Sequence, residues 1–124
     1  MKKLIGLCAL AAAMVAGLEA QDITGTIEGS VLDASGAGVP NARVTIINTD
    51  RNQVVRTSTT DSSGNYSAAL IPVGTYAIKV EVKGFKIVNH TGVVLNVNDD
   101  LKINVPLEVG SLSESVEVKA VDSQ

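Results

Sequence analysis

Apolar and polar residues alternate along much of this chain. Tyr76, Ile78, Val80 and Val82 are interleaved with Ala77, Lys79, Glu81 and Lys83, and Leu101, Ile103, Val105 and Leu107 with Lys102, Asn104, Pro106 and Glu108. A period of two puts successive side chains on opposite faces of a strand, one buried and one solvated. Ile23, Ile27 and Val31 continue the theme, with Gly25 and Gly29 on the same apolar side. A glycine there lets another backbone come close. Segments 43–49, 53–60, 65–71, 93–98 and 115–119 are shorter strand candidates.

The breaks between these segments carry turn chemistry. Residues 33–41 are rich in Gly, Ala, Ser and Asp and end in Pro40-Asn41, and 48–52 reads as a hairpin turn. Asp61-Ser62-Ser63-Gly64-Asn65 and Pro72-Val73-Gly74 are two more reversals, and Asn98-Asp99-Asp100 joins the last two main strands. Short strands at this spacing, with no 3.6-residue period after the first twenty residues, predict an all-β fold. The expectation is a single antiparallel β-sandwich of seven or eight strands. Pro106 cannot donate to a ladder, so its strand belongs at an edge or pairs there on one side only.

The first twenty residues follow a different pattern. Met1-Lys2-Lys3 supplies a positive start and Leu4 to Leu18 is an uncharged run of fifteen residues, the layout of a secretory signal peptide. A bilayer core needs about 20 apolar residues to cross, so the run is short for a retained anchor. Cleavage is expected between Ala20 and Gln21, leaving a mature chain without a transmembrane span. Cys8 lies inside the removed run, so the mature chain is free of cysteine.

Composition narrows the chemistry. Among residues 21–124, seventeen Val and eight Ile dominate the apolar set, as suits pleated strands. Tyr66, Tyr76 and Phe85 are the three aromatics, and Tyr76 and Phe85 are expected to be the largest core members. One Cys and one His exclude a Cys/His zinc cluster and a disulfide framework, and so few aromatics exclude a base-stacking platform. The mature charge is −4, from eight basic and twelve acidic residues with the basic ones scattered, so nucleic acid is not an expected partner.

Candidate sites have bland readings beside the sharp ones. Asp61-Ser62-Ser63-Gly64-Asn65 offers oxygen donors, but one carboxylate is few for calcium, and a turn is the better reading. Asp99-Asp100 reads as a solvated turn, and His90 as a surface-loop residue with no Gly-x-Ser-x-Gly nucleophile to serve. No metal, cofactor or catalytic residue is expected.

The ordered series Gly29-Ser30-Val31-Leu32-Asp33, Gly38-Val39-Pro40-Asn41-Ala42-Arg43-Val44, Thr60-Asp61-Ser62-Ser63-Gly64-Asn65-Tyr66, Pro72-Val73-Gly74-Thr75-Tyr76 and Val80-Glu81-Val82-Lys83-Gly84-Phe85 resembles the carboxypeptidase regulatory-like domain. That group has a transthyretin-like (prealbumin-like), Cna-B-like Greek-key sandwich. The isopeptide cross-link of some Cna-B-like domains needs a first-strand Lys, and none occurs between Gln21 and Ala42. The segment from Leu107 to Val118 resembles the exit from this domain in TonB-dependent, Oar-like outer-membrane receptors.

The expected organisation is the signal peptide at 1–20, a sandwich domain at 21–109 and an exit segment or linker at 110–124. The resemblance implies a non-catalytic, exported accessory module of the cell envelope, in the periplasm, at the outer membrane or secreted. Such a module would mediate protein contact or spacing, either free-standing or as an N-terminal piece of a longer receptor. The alternative is a carbohydrate-binding module with Tyr66 as the glycan contact. The expected partner is thus an envelope protein or a glycan.

Overall fold

The computed structural model describes residues 23–119. The signal peptide and its cleavage point at Ala20 and Gln21 lie outside them.

Nine strands follow one another: β1 (Thr24–Leu32), β2 (Arg43–Asn48), β3 (Gln53–Thr59), β4 (Asn65–Pro72), β5 (Gly74–Glu81), β6 (Ile87–Leu95), β7 (Asp100–Lys102), β8 (Val105–Pro106) and β9 (Ser115–Lys119). They form two sheets packed as a sandwich. One has the order β4-β1-β7 with β8 also on β1, and the other has the order β3-β2-β5-β6-β9.

The core is aliphatic, as the alternation predicts. Ile27, Val31, Val44, Ile46, Ile78, Val80 and Val105 are fully buried between the sheets, and their removal from water is the main stabilising contribution. Tyr76 is also fully buried, its hydroxyl donating to the Pro72 carbonyl. The second large aromatic of the core is Tyr66, not Phe85, which sits half-buried against the cluster. Phe85 follows Gly84 in the β5–β6 turn, where an isolated bridge to Val109 holds it at the margin.

Two other expectations need correction. The segment 101–108 does not form one strand: it breaks between β7 and β8 at Ile103 and Asn104. Gly29 leaves room for the break, because the Ile103 carbonyl turns in against it. A Cβ built on Gly29 would lie 1.8 Å from that oxygen. Pairing is antiparallel for β1–β4, β2–β3, β2–β5 and β5–β6, but β7 and β8 run parallel to β1, and β9 runs parallel to β6. A parallel partner requires a crossover rather than a hairpin. After β6 the chain crosses to the other sheet at the end where β1 begins, and before β9 it returns to the end where β6 begins.

The two ends of the sandwich differ. Loops 33–42, 60–64, 82–86 and 107–114 gather at one end, and the corners at 48–52, 72–74 and 96–99 at the other. Most of the quoted sequence series lies at the first end, called here the motif end.

Candidate functional site

At the motif end two loops are locked to each other and to β1 by glycines and one carboxylate. Asp61 Oδ1 accepts the backbone N–H groups of Ser63 and Asn65 at 2.9 and 3.0 Å, closing the turn, while Gly64 takes φ +82°. A Cβ on Gly64 would lie 2.6 Å from Val39 N, and one on Gly38 would lie 1.9 Å from the Ser63 carbonyl oxygen. Only glycine fits either place. The Gly64 carbonyl then accepts from Val31 N, whose own carbonyl accepts from Val39 N, so the turn and the 33–42 loop are both fastened to β1. Thr60 completes the lock: its buried hydroxyl donates to the Val39 carbonyl and accepts from Ala42 N.

Tyr66 follows this turn, directly opposite Gly29 on β1. Its hydroxyl donates to the Ile103 carbonyl at 2.7 Å. Only 4% of the residue is exposed, and burial pushes its phenol well above the usual range. A sugar contact stacks its ring on an open aromatic face, and Tyr66 keeps its faces inside the protein. The glycan contact expected at Tyr66 thus has little exposed ring to offer, although the residue also lines a groove beside it.

Beside this lock, on the outer face of the β4-β1-β7 sheet, lies an open groove of about 580 Å³. Glu28 and Ser30 of β1, Tyr66 and Ser67 of β4, Lys102 of β7 and Asn104 line it, together with Ser58 and Thr59 of β3 and Asp61. Asn104 Oδ1 accepts from Ser30 N at 3.0 Å, replacing the ladder bond that the break between β7 and β8 removes. Ser30 Oγ donates to Asn65 Oδ1 at 2.6 Å. An amide oxygen is no general base, so this hydroxyl is not an activated nucleophile. Beside the groove, hydrogen bonding to the Asp100 carboxyl of β7 and the negative charge it carries raise the Glu28 carboxyl above its ordinary value, with Lys102 opposing.

The remaining candidates lie apart. His90 is not in a surface loop but within β6, opposite Ile78, and partial burial lowers its imidazole below the ordinary value. The flanking Gly92, at φ +73°, lies in a register shift of β6 against β5, and a glycine beside a strand candidate reads from sequence as a loop. Asp99 Oδ2 accepts from Asn96 N and closes the 96–99 turn. Among the described residues no group of three or more His, Cys, Asp or Glu could hold a metal ion, and no helix is long and apolar enough to cross a membrane. The groove itself was missed by motif reading. Its signal was the outward set Glu28, Ser30, Ser67 and Lys102, visible only once strand pairing is known.

Comparison with known proteins adds the following. The carboxypeptidase regulatory-like domain family matches residues 26–108. The TonB-dependent transporter Oar of Myxococcus xanthus is 34% identical over 110 residues, which span 88% of this chain and 10% of that protein. Among solved structures, a putative carbohydrate binding protein from Bacteroides uniformis superposes with a TM-score of 0.55 at 18% identity, covering 67% of this chain and 40% of that one. Catechol 1,2-dioxygenase from Pseudomonas arvilla does so with a TM-score of 0.54 at 14% identity, over 77% of this chain and 55% of that one. Likeness at these identities concerns the fold alone.

Proposed function

The chain belongs to the carboxypeptidase regulatory-like domain family, and we propose that it serves as a non-catalytic, exported module of the cell envelope. In this reading it is the N-terminal extension of a TonB-dependent type of outer-membrane receptor and acts in protein contact or spacing. The observation that carries it is the 34% identity to Oar, over a stretch that makes up 10% of that transporter. The site geometry agrees. The motif residues Gly38, Asp61, Gly64 and Tyr66 all spend their hydrogen bonds and their missing side chains on the scaffold, and the serines of the groove have no imidazole beside them.

The test is to follow the native gene product with an antibody to the module. The expected result is a polypeptide far heavier than 12.8 kDa, in the outer-membrane fraction, with its N-terminus at Gln21. A cytoplasmic product retaining Met1 to Ala20 would overturn the reading.

The groove favours a second reading, binding of a glycan through hydroxyls and amides rather than an aromatic stack. Ligand sites do place a few polar groups around a concave surface, and the Bacteroides uniformis structure is described as a putative carbohydrate binding protein. A glycan array on residues 21–124, repeated with Ser67→Trp to fill the groove, tests it: hits abolished by the substitution support it, and an empty array refutes it.

A further inference from the structure

Five aliphatic side chains stand in solvent at the end of the sandwich opposite the motif loops. Ile23 precedes β1, Leu70 and Val73 flank the β4–β5 corner, Val94 lies on β6 and Val97 in the loop that follows. Their segments are drawn together by backbone bonds from Val73 N to the Ile23 carbonyl and from Asn98 N to the Thr24 carbonyl, and by the pairing of Thr75 with Val94. Leu70 is 74% exposed and sits at φ +57°, where β4 shifts register against β1. Few residues other than Gly, Asn and Asp adopt that conformation. A leucine held there in solvent serves neither the backbone nor the core.

The chain path gives this end a neighbour. β9 runs parallel to β6 from Ser115 to Lys119, so the polypeptide leaves β9 heading toward the apolar end, and β1 also starts there. We infer that the apolar end docks on an aliphatic surface of the polypeptide that follows β9 in the same chain. This rests on the reading of the module as an N-terminal extension.

The size of the patch selects a tethered occupant. A free-standing complex uses about 800 Å² and roughly 20 residues on each side, far beyond five side chains. A covalent link raises the effective concentration to the order of millimolar, at which a small apolar contact closes. Anionic lipid gains no electrostatic help, because the flanking corners carry Asp50, Asp99 and Asp100 against Arg51.

The experiment uses the native full-length polypeptide in cells, with a photo-crosslinking residue at Leu70, at Val94, or at Val109. Val109 is 78% exposed at the motif end and serves as the control. The expected result is an intrachain link from Leu70 and Val94 to sequence beyond Lys119, at least about tenfold above that from Val109, and lost when the other two of Leu70, Val73 and Val94 are changed to Asp. Links mainly to a second copy, to other proteins or to lipid would overturn the proposal, as would equal yields from all three positions. The mass of the uncrosslinked band reports separately on the parent reading, since a product of 12.8 kDa or less would remove the following polypeptide altogether.

Discussion

Gly29→Ala is the sharpest perturbation of this fold, because Gly29 is not among the glycines at positive φ and ordinary propensity would call the change harmless. The new Cβ would meet the Ile103 carbonyl oxygen at 1.8 Å and its carbon at 2.5 Å. Both atoms are backbone, so the β7–β8 connection must move by more than an ångström. Two hydrogen bonds hold it in place, Ile103 N to the Glu28 carbonyl and Tyr66 Oη to the Ile103 carbonyl, each 2.7 Å. At about 1 kcal/mol net for each bond, with a similar amount for groups left without partners, the loss is about 3 kcal/mol. For a domain of this length that lowers Tm by roughly 12 to 24 °C. Gly36→Ala supplies the opposite control: Gly36 is at φ +86° but has nothing within 4 Å of a new Cβ, so it should lose only about 1 kcal/mol from left-handed strain. Tyr66→Phe alone should cost about 1 to 2 kcal/mol. In the double variant it should cost little more than Gly29→Ala alone, since the displaced carbonyl has already left the phenol. Urea denaturation of residues 21–124 measures all four proteins. A Gly29→Ala loss below about 0.5 kcal/mol, or strict additivity with Tyr66→Phe, would refute the proposed lock.

Other expectations follow from the same geometry. Leu70→Asn should raise the stability of the module by up to about 1 kcal/mol, because Asn accepts the left-handed conformation and the exposed leucine buries little; a loss in the same urea assay would contradict this. Asp33 accepts hydrogen bonds from Ser35 and from the backbone of Ala37, which hold its carboxyl below the ordinary 3.8. Its contribution is therefore present above pH 3.8 and fades as pH falls through the lower folded value, and carbon-detected NMR should show Ser35→Ala moving its midpoint upward. Glu28 has the opposite sign: raised above 4.5 by its hydrogen bond to Asp100 and by that residue's charge, it binds its proton more tightly in the folded state, so its effect on stability worsens as pH rises through that window. Asp100→Asn should bring the Glu28 midpoint down in the same titration, and an unchanged midpoint would show that the pair does not interact.

Period-two alternation was enough to place a sandwich and most of its strands, because burial between two sheets constrains every second residue regardless of partner. It also placed Gly25 and Gly29 on the inner face, where backbone does approach: Asp99 O would be 2.9 Å from a Cβ on Gly25. Alternation failed where a long-range contact overrides it. Leu101 to Leu107 alternates well, yet the ladder breaks at Ile103, whose carbonyl turns in against Gly29 more than seventy positions earlier. His90 was misplaced because Gly92 resembles a loop glycine until β5 is seen to pair across it. Tyr66 lies in the quoted series, but nothing local says that its hydroxyl will be spent on a backbone carbonyl thirty-seven residues away. The groove was least legible of all, since its lining comes from β1, β3, β4 and β7, and the parallel pairing of β7 with β1 is one that no hairpin announces.

This pattern of success has a consequence for function. Several residues of the family series serve the fold: Gly38 and Gly64 in mutual contact, Asp61 closing a turn, Tyr66 opposite Gly29. Each serves the motif end, so the motif identifies a scaffold and is silent about what the scaffold holds. Two surfaces stand outside that scaffold role, the outward face of the β4-β1-β7 sheet and the apolar end beside β1 and β6. At the first, exposed Ser and Asn cost the fold little; at the second, a leucine at positive φ costs it something and returns nothing to the core. A feature that the isolated domain would be more stable without is better evidence of an external contact than one that is merely exposed. By that criterion the apolar end outranks the groove, and a stabilising Leu70→Asn that also abolishes the intrachain link would tie the strain to the contact it serves.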